Sequence, residues 1–217
     1  IEGGMKALID GIERKLVKLG VEIRTGAIVE TLDEAAGGVR LKLSDNTAVS
    51  GDWCISTLPL PTLRQAIADT KLEDKVEIPY LRYQGVVNAM FFLKRPLDNY
   101  YWAPVMDSGT EFDGIVEMTE LVRTEHYGGH HVAYVMKYCD RFSSLFQEPG
   151  EQIGQRWKEQ LLSLYPDLGL TDDDVADVRV FKAPFVEPAY PLGYSETKPK
   201  INDGESPLYL ATSAQCY

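Results

Sequence analysis

Glu117, Thr119 and Glu120 stand in an otherwise apolar run, Gly114-Ile115-Val116-Glu117-Met118-Thr119. If the run is a strand, Glu117 and Thr119 share one face, because successive side chains alternate across the pleat. Burial would disfavour the charged form of such a carboxyl, and a group shifted this way can act as a general acid or base. The plainer alternative is that the face is wet. A little further on, His126, His130 and His131 form an H-x3-H-H pattern around Gly128-Gly129. Two of these imidazoles could meet at a metal if the loop folded back. The nearby acidic residues are only Glu120 and Glu125, and a solvated or capping role is the simpler account, so no metal is expected. Tyr80, Tyr83, Tyr100, Tyr101 and Trp102 could line an apolar pocket or simply fill a core. Cys54, Cys139 and Cys216 are odd in number, far apart and in no C-x-x-C. This argues against a disulfide framework and for a reducing, cytoplasmic setting.

These side chains need elements to hold them. Met5, Leu8, Ile9, Ile12, Leu16 and Leu19 recur at helical spacing, which predicts a helix over 4–19 with Gly20 stopping it. Alternation predicts a half-buried strand over 21–25, another over 27–32, and a hairpin from Val39–Leu43 through Ser44-Asp45-Asn46 to 47–50. Trp53-Cys54-Ile55-Ser56-Thr57-Leu58 reads as a strand buried on both faces. Pro59 and Pro61 then lead into a short helix near 61–69. Long strands rich in Val, Tyr, Phe and Met follow over 82–93, 100–106, 113–121 and 131–139. A helix is expected over 149–165, a strand over 175–187, and a last strand over Leu208–Ala211. Runs of strands joined this way predict an antiparallel sheet.

The fold class is therefore α+β: a mixed lobe with a helix and a β-meander, plus a larger antiparallel sheet with flanking helices. The lobes are expected at 1–78 with 205–217, and at 79–204. A net charge of -11 repels phosphate backbones and argues against a nucleic-acid partner. The longest apolar runs, such as Val86–Leu93, fall far short of the roughly 20 residues a membrane-spanning helix needs. Asp172-Asp173-Asp174 lacks the alternating ligands of a calcium loop and reads as a solvated helix start. The chain opens on Ile1 and closes on Tyr217, next to a strand, so both ends look cut.

There is no G-x-G-x-x-G, no phosphate-cradling G-x-x-x-x-G-K-[ST], no H-E-x-x-H and no G-x-S-x-G. What the sequence does carry is an ordered series: Gly3-Gly4-Met5 leading a helix, Gly20-Val21-Glu22-Ile23, Val29 with Leu32, Val39-Arg40-Leu41, then Ile55-Ser56-Thr57-Leu58-Pro59. Later come Pro188-Ala189-Tyr190-Pro191-Leu192-Gly193-Tyr194 and Pro207-Leu208-Tyr209-Leu210-Ala211. In this order the motifs resemble the middle of the flavin amine oxidase and protoporphyrinogen oxidase-like superfamily. The resemblance runs along essentially the whole chain but matches only about the middle half of such an enzyme.

The resemblance implies FAD as cofactor, a small organic substrate, and hydride transfer from substrate to flavin in the full-length protein. It places the Val29 strand near the FAD adenine and the turn holding Thr57 and Pro59 near the flavin. It places Ala211, Thr212 and Ser213 beside the pyrophosphate and ribityl chain. Members usually carry a glycine and an acidic residue where Thr212 and Ser213 stand. Residues 79–204 would form the roof of the substrate cleft, with Glu117, Thr119, Tyr101, Tyr190 and Tyr194 as pocket candidates. Because the family's glycine-rich turn is missing, the 217 residues are expected to be an internal fragment, inactive alone and binding FAD weakly or not at all. An apolar surface left uncovered would favour a homodimer. The alternatives are a freestanding binding module cupping an apolar ligand, a structural domain, and a nucleotide-sugar mutase-like flavoprotein.

Overall fold

The computed structural model of the protein describes residues 4–202 and 204–216. Gly3 of the Gly3-Gly4-Met5 motif, and the terminal Ile1 and Tyr217, lie outside the described residues. The architecture is α+β. The chain divides into two compact units, Ile1–Pro79 with Pro199–Gln215, and Tyr80–Lys198 with Cys216–Tyr217.

The first unit begins with α1 (Gly4–Lys18). Gly20, at φ +81°, ends it in a left-handed turn, and Val21 N–H reaches back to the Leu16 carbonyl. None of the α1 residues is buried, so its apolar stripe is exposed, with Met5 66% and Ile9 58% accessible. The strand expected over 21–25 does not form; those residues are exposed and lie next to no described strand that could complete their hydrogen bonds.

Next come β1 (Val29–Ala35), β2 (Gly38–Leu43) and β3 (Ala48–Gly51), an antiparallel meander in the order β1-β2-β3. Asn46, at φ +66°, makes the tight β2–β3 turn. β4 (Cys54–Ser56) leads through Pro59 into α2 (Leu60–Ile67). Far along the chain, β10 (Leu208–Leu210) pairs with β4 in parallel, Leu208 opposite Cys54 and Leu210 opposite Ser56. Leu32, Val39, Leu63, Ile67, Leu72, Leu208 and Leu210 form the core of this unit. The expectation that β4 is buried on both faces is corrected: Trp53 and Ile55 are more than half exposed, because only one side of the two-stranded β4–β10 pair meets that core.

The second unit is built on β5 (Arg82–Leu93), the central strand of a five-stranded sheet in the order β6-β7-β8-β5-β9. The other members are β6 (Trp102–Pro104), β7 (Gly114–Glu117), β8 (His131–Cys139) and β9 (Val175–Ala189), all antiparallel to their neighbours. The short α3 (Ser144–Gln147) precedes α4 (Gly150–Leu164), and α5 (Tyr194–Thr197) follows β9. Strict alternation along β5 buries Val87, Ala89, Phe91 and Leu93 completely. They pack with Ile153, Trp157 and Leu161 of α4. Gly154 brings the helix close to β9: a Cβ there would stand 3.2 Å from Val178 Cγ1 and 3.3 Å from Val180 Cγ2. Trp157 is anchored by Nε1, which donates to Glu111 Oε2 at 3.0 Å.

Candidate functional site

Glu117 is the most enclosed carboxyl side chain among the described residues, 1% exposed. It ends β7, and Met118–Glu120 turns into a 3-10 helix, so the expectation that Thr119 shares a strand face with Glu117 is corrected. Thr119 Oγ1 instead accepts the Val132 N–H at 3.1 Å. Both Glu117 oxygens are used: Oε1 accepts Leu97 N–H at 3.0 Å and Oε2 accepts Asp98 N–H at 3.1 Å. Its own N–H donates to the Tyr101 carbonyl, while Tyr101 itself is 42% exposed. Burial pushes the Glu117 carboxyl above the usual glutamate range, against the pull of those two N–H groups. This carboxylate pins the loop between β5 and β6.

Tyr190 and Tyr194 meet at the other end of the unit, with ring centroids 4.9 Å apart. Tyr194 is 1% exposed, and burial together with Tyr190 and Tyr83 pushes its hydroxyl up to about 12. Tyr83 packs edge-on against Phe185 at 5.6 Å. The two groups of candidates are not neighbours. Glu117 lies opposite Ala133, which lies opposite Phe91, whereas Tyr190 follows Ala189, opposite Arg82. From Arg82 to Phe91 along one strand is about 30 Å at the usual rise per residue. His131 borders Glu117, Nδ1 to Oε1 at 4.0 Å, and no cluster of metal-ligating side chains occurs among the described residues.

In the first unit, Thr57, Pro59, Ala211, Thr212 and Ser213 do come together. They follow the carboxyl ends of the parallel strands β4 and β10, where Ala211 N–H donates to the Ser56 carbonyl at 2.9 Å. Thr212 is buried and its N–H is held by Gln215 Oε1 at 3.0 Å. The carboxyl ends of parallel strands are where open α/β sheets hold nucleotide-type ligands. Val29 stands apart from them, half-buried at the start of β1 beside a bulge in the β1–β2 register.

Sequence reasoning missed a further surface, the side of the five-stranded sheet opposite α4. Val86, Asn88, Met90 and Phe92 of β5 point there, half-buried. Register places Tyr138, Met136 and Tyr134 beside them on β8, and Phe181 and Arg179 on β9. Val116 and Trp102 extend the face across β7 and β6. It lies outside the core that α4 seals, and Trp102 and Phe181 are each more than half exposed; at its far end Val132 is fully buried and His130 stands edge-on against Phe92. Within this apolar face Asn88 Oδ1 is enclosed and accepts no hydrogen bond. The period-two pattern of 82–93 carried the signal, because every second residue of a strand covered on one side must face elsewhere.

Several solved structures share this fold. The chain resembles a candidate protoporphyrinogen oxidase from Exiguobacterium sp. 255-15, with a TM-score of 0.75 and 18% identity over 99% of this chain and 47% of that one. It also resembles an oxidoreductase from Methanosarcina mazei, with a TM-score of 0.67 and 19% identity over 98% of this chain and 49% of that one. Reduced UDP-galactopyranose mutase matches with a TM-score of 0.65 and 15% identity over 86% of this chain and 40% of that one. The chain thus spans about half the length of these solved structures. No curated protein sequence matches it. The family model for flavin-containing amine oxidoreductases matches residues 1–217, and the chain belongs to that family.

Proposed function

We propose that the full-length protein containing these residues is an FAD-dependent oxidoreductase acting on a small organic substrate, and that the uncovered face of the five-stranded sheet is its substrate wall. The supporting observation is the two-sidedness of the sheet. One side is sealed by α4; the other presents Met90, Tyr134, Met136, Phe181 and Trp102, an apolar and aromatic surface outside that core. Such a surface suits an organic molecule, and in flavoenzymes the protein positions substrate and excludes water while the bound flavin supplies the hydride acceptor. Thr57, Pro59, Ala211, Thr212 and Ser213 fit the cofactor side, because they occupy one end of a parallel strand pair. Val29 is assigned to the adenine end through its backbone. Glu117 serves this site at a distance, by fixing the loop that leads to Tyr101 and Trp102, and Thr119 by holding the start of β8.

The 217 residues contain no glycine-rich dinucleotide turn, so on their own they bind FAD weakly or not at all and turn over nothing. The test compares the full-length protein with residues 1–217. The full-length protein should purify with FAD absorbance, and an organic substrate should bleach it anaerobically. Residues 1–217 alone should show no saturable thermal stabilisation on adding FAD. A flavin-free full-length protein, or a strong FAD-dependent shift in residues 1–217, would overturn the respective halves of the proposal. Conversion of UDP-galactopyranose without net oxidation would instead favour a mutase-like reaction, in keeping with the structural likeness to that enzyme.

A further inference from the structure

Asn88 is out of place in its surroundings. It lies on the central strand of the sheet, opposite Met136 on one neighbouring strand and Phe181 on the other, with Val86 and Met90 before and after it on the same face. Its Oδ1 is enclosed and has no hydrogen-bond partner among the described residues. An amide held without a partner among apolar groups destabilises a fold, and such a group in a native protein calls for a reason. A residue needed only for packing at this point would be leucine or valine.

The geometry points to Asn88 as a specificity-determining residue: its amide receives the one uncharged N–H or O–H donor of an otherwise apolar, ring-bearing substrate. This rests on the sheet face being the substrate wall. With the amide oriented as it is, the group it lacks is a donor. The side chains that close over it include methionines, whose unbranched thioethers yield readily to an incoming ring. The substrate class is thus a largely hydrophobic ring system with a single neutral donor. A charged ammonium does not fit, because no carboxylate faces the amide from β5, β8 or β9 within one residue pair of its position.

Indole and 1-methylindole differ only in the donor and serve as probes, titrated calorimetrically into the full-length protein with FAD bound. The wild type should bind indole about tenfold more tightly, the worth of one added hydrogen bond. Asn88→Leu should bind the two probes alike, with an unfolding midpoint equal to or above that of the wild type. That rise accompanying lost discrimination is an outcome a purely structural role would not produce. Met90→Lys, which obstructs the face while leaving Asn88 in place, should lose both probes. If the wild type binds both probes equally and Met90→Lys abolishes binding, the role of Asn88 is wrong and the wall reading survives. If neither probe binds the wild type, or Met90→Lys binds them normally, the wall reading fails and this inference falls with it.

Discussion

Glu117 and His131 stand 4.0 Å apart, carboxylate Oε1 to imidazole Nδ1, with no hydrogen bond between them. Glu117 accepts instead from two backbone N–H groups of the preceding loop. His131 Nδ1 is enclosed and unbonded. The carboxylate therefore acts as an organiser of backbone, and the order in which it satisfies its neighbours sets which loop is fixed.

Removing that organiser should be costly. Glu117→Ala leaves the N–H of buried Leu97 without an acceptor, with an expected loss of about 1–3 kcal/mol by denaturant unfolding. Glu117→Gln keeps one acceptor and should lose less. Burial raises this carboxyl above the ordinary value of 4.5, so between 4.5 and its raised value the folded state holds a proton that the unfolded state has released. The stability contributed by this group is accordingly present below that window and falls as pH rises through it. The Gln variant should lack this component in a series of unfolding curves from acid to neutral pH.

Alkaline pH should reveal Tyr194. Its hydroxyl is pushed up to about 12, whereas an unfolded tyrosine ionises near 10. The folded state therefore keeps the proton over this interval, and stability should fall as pH rises from about 10 toward 12. Ultraviolet titration should show Tyr194 among the last tyrosines to ionise, beside the also raised Tyr134, Tyr165 and Tyr190, and Tyr194→Phe should reduce that late amplitude.

Close approach, not flexibility, explains Gly38. A Cβ built there would lie 2.2 Å from the Gly51 carbonyl oxygen, a backbone atom of the neighbouring strand. Gly38→Ala should destabilise the first unit by about 2–4 kcal/mol. Hydrogen exchange in β1–β3 should speed up, while amides of the five-stranded sheet keep their protection.

The exposed apolar residues of the first unit predict self-association of residues 1–217. Met5, Ile9 and Ile12 project from α1, and Trp53 and Ile55 from the open side of the β4–β10 pair. Light scattering should report dimers or larger species at high concentration, and Ile9→Lys with Ile12→Lys should shift them toward monomer. A clean monomer before substitution would count against this expectation.

Local pattern was legible wherever a neighbour in sequence decided it. The α1 stripe, the 39–50 hairpin, the α4 stripe and the 82–93 alternation each follow from spacing that one element carries by itself. Failure came where a distant partner decides. The alternation in Val21-Glu22-Ile23-Arg24-Thr25 is that of a strand, but a strand needs another beside it, and none of the described strands pairs there. Trp53 and Ile55 read as core, yet only one side of their strand meets other side chains. Thr119 was placed on a strand face because nothing in Glu117-Met118-Thr119 announces that the chain turns after Glu117. The distance between the pocket candidates Tyr190 and Glu117 was hidden for the same reason: register across β5, β8 and β9 separates them, and register is invisible in any one segment.

The parallel pairing of β4 with β10 has a consequence for synthesis. Leu208 and Leu210 complete a core whose other members, from Leu32 to Leu72, emerge from the ribosome much earlier. That lobe must wait, half-built, while the intervening five-stranded sheet has all its own strands in hand and can collapse first. During the delay Leu63, Ile67 and Leu72 lack their final cover, which makes this interval the chain's window of exposure to chaperones and to misassembly.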